Sequence, residues 1–599
     1  MPEQNSDYYK VNKAKCDEEV KRFDRQINIY SFIRLFALAA SIIIFYQSIK
    51  YELIWLSFLI VPLFILVFAW LVSKQSWFQK QMNYFKNLGD VHANELNSLE
   101  RKPNIYPDGS VYEDDLHSYS SDLDIFGKGS LFEMMNRCAT VSGNSKLAGW
   151  LLKPASVLEI RERQALLSEL ESKLGWKHHF QAVLLFSNSS SEDQVKELFR
   201  YIKTAPEESG SWIKNYVRWI PWLFSIVAIS TWFVPSLLIA LIVLIIVNLT
   251  LMQSFGARIA KTDSMIGKMS RILDHFSEAI SAVRDQKWTT PLSISLAADL
   301  KDNANGKLTE QIKQFSLLIN HLTFGQTAVG AILNAIMLWN IRQIFAIEDW
   351  KKNNHDNLKQ AFDVISTFEA LISLSSLKTN YPEWCFADIK EGKNYTLNAE
   401  DIGHPLIPTQ VRVNNNYSLN DELKIDIITG SNMAGKSTFL RTLGINTVLA
   451  LCGAPSCARK MEVSRMLVFT YMRIRDSLNE STSTFKAELD RLQSLLKMLE
   501  SSEKVYFLID EMLRGTNSVD KYLGSKAVIE KLISQNAVGI VATHDLQIAE
   551  LEQKYPDYIR NYYFDIQVEG EEMNFDYKLK AGECKTFNAS LLLKRIGIF

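Results

Sequence analysis

The chain has 599 residues, enough for several domains, and its 47% hydrophobic content can fill their cores. Its 66 basic and 67 acidic side chains leave a formal charge of −1, so the chain as a whole does not attract a polyanion and any nucleic-acid contact needs a local basic surface. The six cysteines, Cys16, Cys138, Cys385, Cys452, Cys457 and Cys584, form no C-x-x-C pair, which argues against a zinc site or disulfide framework and suits a reducing compartment.

Residues 1–30 read as a mixed-charge helix with a solvated face. A transmembrane hairpin is expected at 31–73. Leu35–Ile49 is apolar behind Arg34, and Leu53–Val72 carries no charge, enough at about 1.5 Å per residue to cross a hydrocarbon core of roughly 30 Å. Its apolar run starts well inside the chain, behind charged sequence and without a small-residue cleavage site, so it does not read as a removable signal. In 74–128 a helix from Trp77 to about Glu100 leads into a linker, Arg101–Ser121, marked by Pro103, Pro107 and Gly109. Residues 129–218 precede a second uncharged stretch, Trp219–Ala257, punctuated by Pro221 and Pro235. It is expected to form a second hairpin at 219–252, with Trp219, Trp222 and Trp232 at headgroup depth.

Positive charge gathers outside both hairpins, at Arg22, Arg25, Arg34, Lys74, Lys80, Lys214, Arg218, Arg258 and Lys261. Four spans in the inner, cytoplasmic membrane with both termini in the cytoplasm follow. Thr327–Ile341, which contains Asn334 and Asn340, is expected to be a buried helix instead of a fifth span. It lies in a helical region at 253–380 that breaks at Asn303–Gly306.

After Pro382 alternating short strands begin. Leu423–Thr438, LKIDIITGSNMAGKST, places a phosphate-binding loop between a buried strand and a helix. Gly430, Gly435, Lys436 and Ser437 meet the pattern G-x-x-x-x-G-K-[ST]. The glycines let backbone N–H groups of Gly430, Ser431, Asn432, Met433, Ala434, Gly435 and Thr438 turn toward phosphate oxygens. Lys436 would reach the β- and γ-phosphates of ATP, and Ser437 would offer its hydroxyl to Mg²⁺, while the helix points its positive end at the same anion. Val505–Glu511, VYFLIDE, is a buried strand ending in two carboxylates, with Asp510 suited to the Mg²⁺ shell and Glu511 to orienting the attacking water. Val538–His544, VGIVATH, is a third buried strand, ending in His544, a candidate sensor of the γ-phosphate.

These segments resemble the MutS-type mismatch-repair ATPases. GSNMAGKST is similar to that family's Asn-Met variant of the loop, STSTFKAEL at Ser481–Leu489 to its signature segment, and DEMLRGTNSVD at Asp510–Asp520 to its Walker B and D-loop run. GHPLI at Gly403–Ile407 looks like the start of the family's ATPase domain, and SLFEMMNRCATVSGNSKLAGWLLKP, within 129–170, like the start of its lever domain. The resemblance implies an α/β P-loop (ABC-type) ATPase domain at 381–599 and an all-α lever domain in two halves at 129–218 and 253–380; the two transmembrane hairpins, read from the uncharged stretches, are additions that soluble relatives lack. It also implies a homodimer in which Ser483 and Thr484 act on the nucleotide of the other subunit, and a C-terminal segment, Ala581–Phe599, that supports dimer contact. Lys521 replaces the usual D-loop glycine and Lys486 follows the signature phenylalanine, which puts partner contacts in doubt. Phe276-Ser277-Glu278 reads as a coincidental match to the mismatch-binding wedge, so mismatch specificity is not expected. Three outputs stay open: a membrane-tethered DNA clamp, a membrane switch or scaffold without DNA, and, disfavoured by the lack of intramembrane charge, a transporter.

Overall fold

The computed structural model describes residues 2–51, 54–185, 197–198, 200–202, 204, 210–267, 269–300, 308–419, 424–431, 434–472, 484–501, 503–515, 517–569 and 572–583. The chain opens with α1 (Pro2–Lys50) and α2 (Ile54–Leu99). The two are antiparallel, with Phe23 stacked on Phe85 at 5.8 Å between ring centroids, Tyr30 against Phe78 at 5.1 Å, and Arg34 donating to Gln75 Oε1 at 2.5 Å. The mixed-charge helix expected at 1–30 and the apolar run behind it form one continuous helix.

Next come α3 (Val141–Leu152), α4 (Val157–Glu171) and α5 (Leu174–Leu184). Side chains start the first two: Thr140 accepts from Gly143 N at 3.0 Å, and Ser156 and Glu159 form a reciprocal capping box. Among the further helices of this half are α6 (Ser211–Ser230), α7 (Leu238–Ile266), α8 (Ser270–Asp285), α9 (Leu308–Phe324), α10 (Ala328–Met337) and α11 (Trp339–Asn380). At about 1.5 Å per residue α11 is roughly 63 Å long. It packs on α3, α4, α7, α8 and α9, and its far end reaches the strands of the C-terminal half. Phe276, in α8, is 1% exposed with its ring 4.0 Å from that of Phe362, which makes it a core residue.

A buried polar knot joins these elements near the far end of α11. Arg137 donates to Glu95 through Nε at 2.5 Å and Nη2 at 2.9 Å, Asn380 Nδ2 donates to Glu95 Oε2 at 2.8 Å, and Tyr9 OH donates to Asn380 Oδ1 at 3.0 Å. Burial alone would raise the Glu95 carboxyl, but the Arg137 guanidinium overrides it and holds the group down at about 2. The pair thus fastens the α1–α2 hairpin to α11. Arg137→Met leaves Glu95 as an uncompensated buried charge and is expected to cost about 3–5 kcal/mol, seen as a large drop in the unfolding midpoint of the purified chain.

Glu369, on α11, accepts from Ala139 N at 2.8 Å and Thr140 N at 3.0 Å and meets the Thr140 hydroxyl. Burial outweighs these donors and pushes its carboxyl up to about 7. Because the folded chain holds this proton more tightly than the unfolded one, the group's contribution is complete below the ordinary carboxylate range and is lost as pH rises through about 7. Glu369→Gln is expected to remove that slope, making the variant more stable than the parent at pH 8 relative to pH 5; thermal unfolding across pH measures it.

The expectation of four membrane spans is corrected. Among the described residues two helices are long and apolar enough to cross a membrane, Asn5–Lys50 and Pro235–Ile266. The first part of Leu53–Val72 lies outside the described residues or their side chains. α6 contains Lys214 and Arg218, so its uncharged part, Trp219–Ser230, covers only about 18 Å against a core of roughly 30 Å. A bent pair, α9 with Val329–Met337, could be read as a third span, but its halves meet at 100°. Thr327–Ile341 is also corrected: Val329 and Ile332 are 57% and 60% exposed, because the bend carries α10 out of the helical core.

The C-terminal half is mixed α/β. Its strands are β1 (Cys385–Phe386), β2 (Asp388–Lys390), β3 (Leu397–Ile402), β4 (Asn415–Leu419), β5 (Ile425–Thr429), β6 (Pro455–Ser456), β7 (Lys460–Ser464), β8 (Leu467–Tyr471), β9 (Val505–Asp510), β10 (Val538–Ala542), β11 (Ile559–Glu569) and β12 (Glu572–Ala581). Six form a sheet in the order β12-β11-β5-β10-β9-β8, parallel except for β12; four form a second sheet in the order β2-β7-β3-β4, and β1 pairs with β6. Every residue of β5, β9 and β10 is buried, as expected of parallel strands covered on both faces. The longer helices described here are α12 (Lys436–Cys452), α13 (Thr484–Leu499) and α14 (Ser518–Ser534). Asp426, fully buried on β5, is matched by Arg560 from β11 at 2.9 and 3.0 Å and by the Tyr417 hydroxyl from β4 at 2.7 Å, which locks the two larger sheets together. Asn303–Gly306 and Cys584–Phe599, for which a helix break and a dimer segment are expected, lie outside the described residues.

Candidate active site

Strand register brings the three motif strands to a common edge. Ala542 on β10 lies opposite both Ile428 on β5 and Asp510 on β9. The loop after β5, the carboxylates at the end of β9 and the histidine after β10 therefore converge outside the carboxyl ends of parallel strands, where open α/β sheets place ligands.

The loop after β5 depends on two glycines. Gly430 has φ of 143° and a Cβ there would come within 2.7 Å of Phe564 O; Gly435 has φ of 106° and caps α12. Lys436, first residue of α12 and 4% exposed, curls back over the loop, its Nζ donating to Gly430 O at 2.7 Å and Ser431 O at 2.9 Å. Ala434 is buried and donates its N–H to Ser431 O at 3.4 Å, and Thr438 continues the first turn of the helix. The positive end of α12 faces the same space. Asn432 and Met433 lie outside the described residues, as does Ser483; Thr484 begins α13, with its side chain also outside them.

Ser437 is hydrogen-bonded to the Asp510 carboxylate, so the two residues expected to share a metal stand together. Burial pushes the Asp510 carboxyl up, against the Ser437 bond and the nearby Arg514 and Lys436 charges. Glu511 adopts the left-handed region with φ of 58°. That turn lets its N–H donate to Ala542 O at 3.0 Å while its Oε1 sits 3.0 Å from His544 Nδ1. Burial would raise the Glu511 carboxyl, but the His544 bond and the surrounding cationic groups bring it below the ordinary range, so it is a carboxylate at neutral pH.

Residues that sequence reasoning did not single out complete the arrangement. Arg514 donates through Nη2 to Asp510 O at 2.8 Å, and its Nε is 3.5 Å from Glu511 Oε2. Its N–H donates at 3.0 Å to Glu488 Oε2, which also accepts from Tyr471 OH at 2.8 Å, tying α13 to the turn after β9. Glu488 and Arg514 lay within the quoted motif segments, but their pairing needed the fold. Tyr577, on β12, had no sequence signal. Its ring stands against Gly435, where a Cβ would meet it at 3.1 Å, and its carbonyl accepts from Asn415 Nδ2 at 3.0 Å.

Lys436, Ser437, Asp510, Glu511, Arg514 and Tyr577 line a cavity of about 630 Å³, within the usual size of a small-molecule site. Lys436, Ser437, Asp510 and Glu511 give it a polar, phosphate- and cation-compatible portion, and Ile407, Val411, Val413 and Tyr577 an apolar and aromatic one. The combination suits a molecule with a charged polyphosphate and a flat apolar ring.

Comparison with known proteins agrees in both place and kind. Residues 426–590 match the family model described as MutS domain V. The chain is 31% identical over 243 residues to the DNA mismatch repair protein MutS of Thermotoga sp. (strain RQ2), covering 39% of this chain and 29% of that protein. It is 33% identical over 207 residues to MutS of Aquifex pyrophilus, covering 34% and 24%, and 33% identical over 214 residues to MutS of Methanosarcina mazei, covering 33% and 23%. The match spans about a quarter of the length of these curated relatives. Over its C-terminal part the chain is therefore MutS-like, carrying a MutS domain V at residues 426–590.

Proposed function

We propose that this chain is a membrane-anchored, MutS-type ATP hydrolase of the P-loop, ABC type, working as a homodimer. The observation that carries the reading is the convergence of Lys436, Ser437, Asp510 and Glu511 on one cavity at the carboxyl ends of β5 and β9, with His544, after β10, bonded to Glu511. The loop from Gly430 to Thr438 would bind the phosphates of ATP, with Lys436 exchanging its two backbone acceptors for phosphate oxygens. Ser437 and Asp510, already bonded to each other, would hold Mg²⁺, which when bound neutralises charge on the β- and γ-phosphates. Glu511 would orient the attacking water, held in place by His544, which senses whether the γ-phosphate is present. The partner subunit's Ser483 and Thr484 would close each site from across the dimer.

Tyr577 is assigned to the base of the nucleotide. Tyr577→Ala is expected to lose an aromatic contact of about 0.5–1.5 kcal/mol, weakening ATP binding roughly 2- to 10-fold with little change in kcat; titration with a fluorescent ATP analogue measures it.

Output would pass along α11, the helix that runs from the membrane-proximal α10 to the C-terminal strands, with 129–218 and 253–380 acting as levers and the hairpins as anchors in the inner membrane. DNA is the second reading, favoured by the name of the relatives, DNA mismatch repair protein MutS. ATP turnover of the detergent-purified chain with duplex, mismatched and branched DNA across a salt series tests it. Salt-dependent stimulation supports a tethered clamp, and turnover indifferent to DNA supports a membrane switch.

A further inference from the structure

The α6–α7 hairpin differs from the α1–α2 hairpin in three respects that bear on how deep each goes into lipid. The first is reach. Tyr216 OH of α6 donates to Asn248 Oδ1 of α7 at 3.0 Å, which sets the two helices level at the charged base of the hairpin, beside Arg218. Beyond Arg218 only Trp219–Ser230 remains before the chain turns at Thr231, about 18 Å of helix, while a bilayer core is roughly 30 Å thick.

The second is the tip. Lys50 ends α1, and Glu52 follows two residues later, so the α1–α2 tip carries charge that seeks water. The α6–α7 tip, Thr231–Leu237, carries none, and its Trp232 and Phe233 are 89% and 79% exposed. An uncharged aromatic tip standing clear of the protein is suited to hydrocarbon and poorly suited to emerging on a far aqueous face.

The third is the base. α10 leaves α9 at a bend of 100° and packs against both α6 and α7, so it runs across the hairpin where the hairpin leaves the helical core. No Asp, Glu, Lys or Arg occurs between Lys313 and Arg342. Val329 and Ile332 face outward, and the backbone groups freed by the bend are taken up within the protein. Asn248 Nδ2 donates to Ala335 O at 2.7 Å, Asn334 Nδ2 to Gly325 O at 2.9 Å, and the Thr327 hydroxyl to Phe324 O at 2.8 Å. Internal satisfaction of backbone polar groups is what a lipid-facing helix end requires.

We propose that the α6–α7 hairpin is a wedge that enters a single leaflet, on the side of the ATPase, with α10 lying in the membrane plane at its base and Val329 and Ile332 in the boundary between headgroups and acyl chains. The α1–α2 hairpin alone crosses. This rests on the membrane-anchored reading above. It also gives α11 a defined starting point, because Leu338 alone separates α10 from α11, so a helix pressed into one leaflet is joined directly to the rod that reaches the C-terminal sheets.

Single cysteines introduced into the full chain at Tyr51 and Ser236, both exposed at their tips, test it with a membrane-impermeant maleimide applied to right-side-out and inside-out vesicles, measured against the parent chain. Tyr51→Cys is expected to react from the face opposite the ATPase, and Ser236→Cys from neither face until detergent is added. Reaction of Ser236→Cys from the face opposite the ATPase would show a full crossing, and reaction from the ATPase face would put the tip in water; either overturns the wedge. Recovery of the chain in the soluble fraction would defeat the membrane-anchored reading and the wedge with it; reaction of Tyr51→Cys only from the ATPase face would defeat the spanning reading of α1–α2 alone, and Ser236→Cys would still report on its own hairpin. Should a substitution prevent folding, the unmodified chain in vesicles with a diazirine at the acyl-chain terminus serves. Adducts concentrated at 231–237 support the wedge, and adducts in mid-α7 with none at the tip contradict it.

Discussion

Replacing Lys436 with alanine is expected to weaken ATP binding as well as turnover. The Nζ now held by two backbone carbonyls at 2.7 and 2.9 Å is the buried cation of the loop, and its exchange onto phosphate oxygens forms charge-assisted bonds. Bonds of that kind contribute about 1.5–3 kcal/mol, so nucleotide affinity should fall roughly 10- to 100-fold. Turnover should fall further, by about 10²–10³-fold, because the same charge would stabilise the phosphoryl group as it transfers. Equilibrium binding and steady-state hydrolysis, measured side by side, separate the two effects. Lys436→Arg tests the geometry, since a planar guanidinium cannot follow the same tight return over Gly430 and Ser431 and should restore little activity.

Glu511→Gln is expected to leave binding intact and lower turnover by about 10²–10⁴-fold, the usual scale for a group that handles a proton in the transition state. The amide can still accept a hydrogen bond from His544 in place of Oε1, so the local fold should survive. What it loses is the negative charge that the structure protects by placing His544, Arg514 and Lys521 around the group. The variant should accumulate with ATP in a closed dimer, visible as an ATP-dependent shift in size-exclusion chromatography. Parent-like hydrolysis in this variant would remove Glu511 from the mechanism.

Much of the C-terminal site is legible in sequence for a physical reason. A loop that turns sharply through positive φ between strand and helix fixes the glycines at 430 and 435, and strands buried on both faces appear as unbroken apolar runs, so β5, β9 and β10 and the groups at their ends stand out together. Their side-by-side meeting follows from parallel register, which no single segment contains. Tyr577 was invisible because its role depends on an edge strand folding back over the loop, and an exposed tyrosine on a strand has no distinguishing local pattern. Glu488 and Arg514 were in view as letters, but the bond between them links α13 to the turn after β9 across 26 residues of chain.

The helical half was read less well where hydropathy stood in for geometry. The uncharged stretch from Trp219 to Ala257 is long enough for two spans if it is divided evenly. The structure divides it unevenly, because α6 begins upstream among charges and turns early, leaving α7 with most of the apolar length. The side chains of Asn334 and Asn340 suggested burial for Thr327–Ile341, but Asn334 serves the bend itself and the outward face of α10 is apolar.

The most direct test of the central claim is Mg²⁺-dependent ATP turnover by the detergent-purified full chain, run beside Lys436→Ala and Glu511→Gln. Hydrolysis that needs Mg²⁺ is expected, with both binding and turnover weakened in Lys436→Ala and binding without turnover in Glu511→Gln. A folded parent chain that neither binds nor hydrolyses ATP, or one whose hydrolysis is untouched by both substitutions, would contradict it.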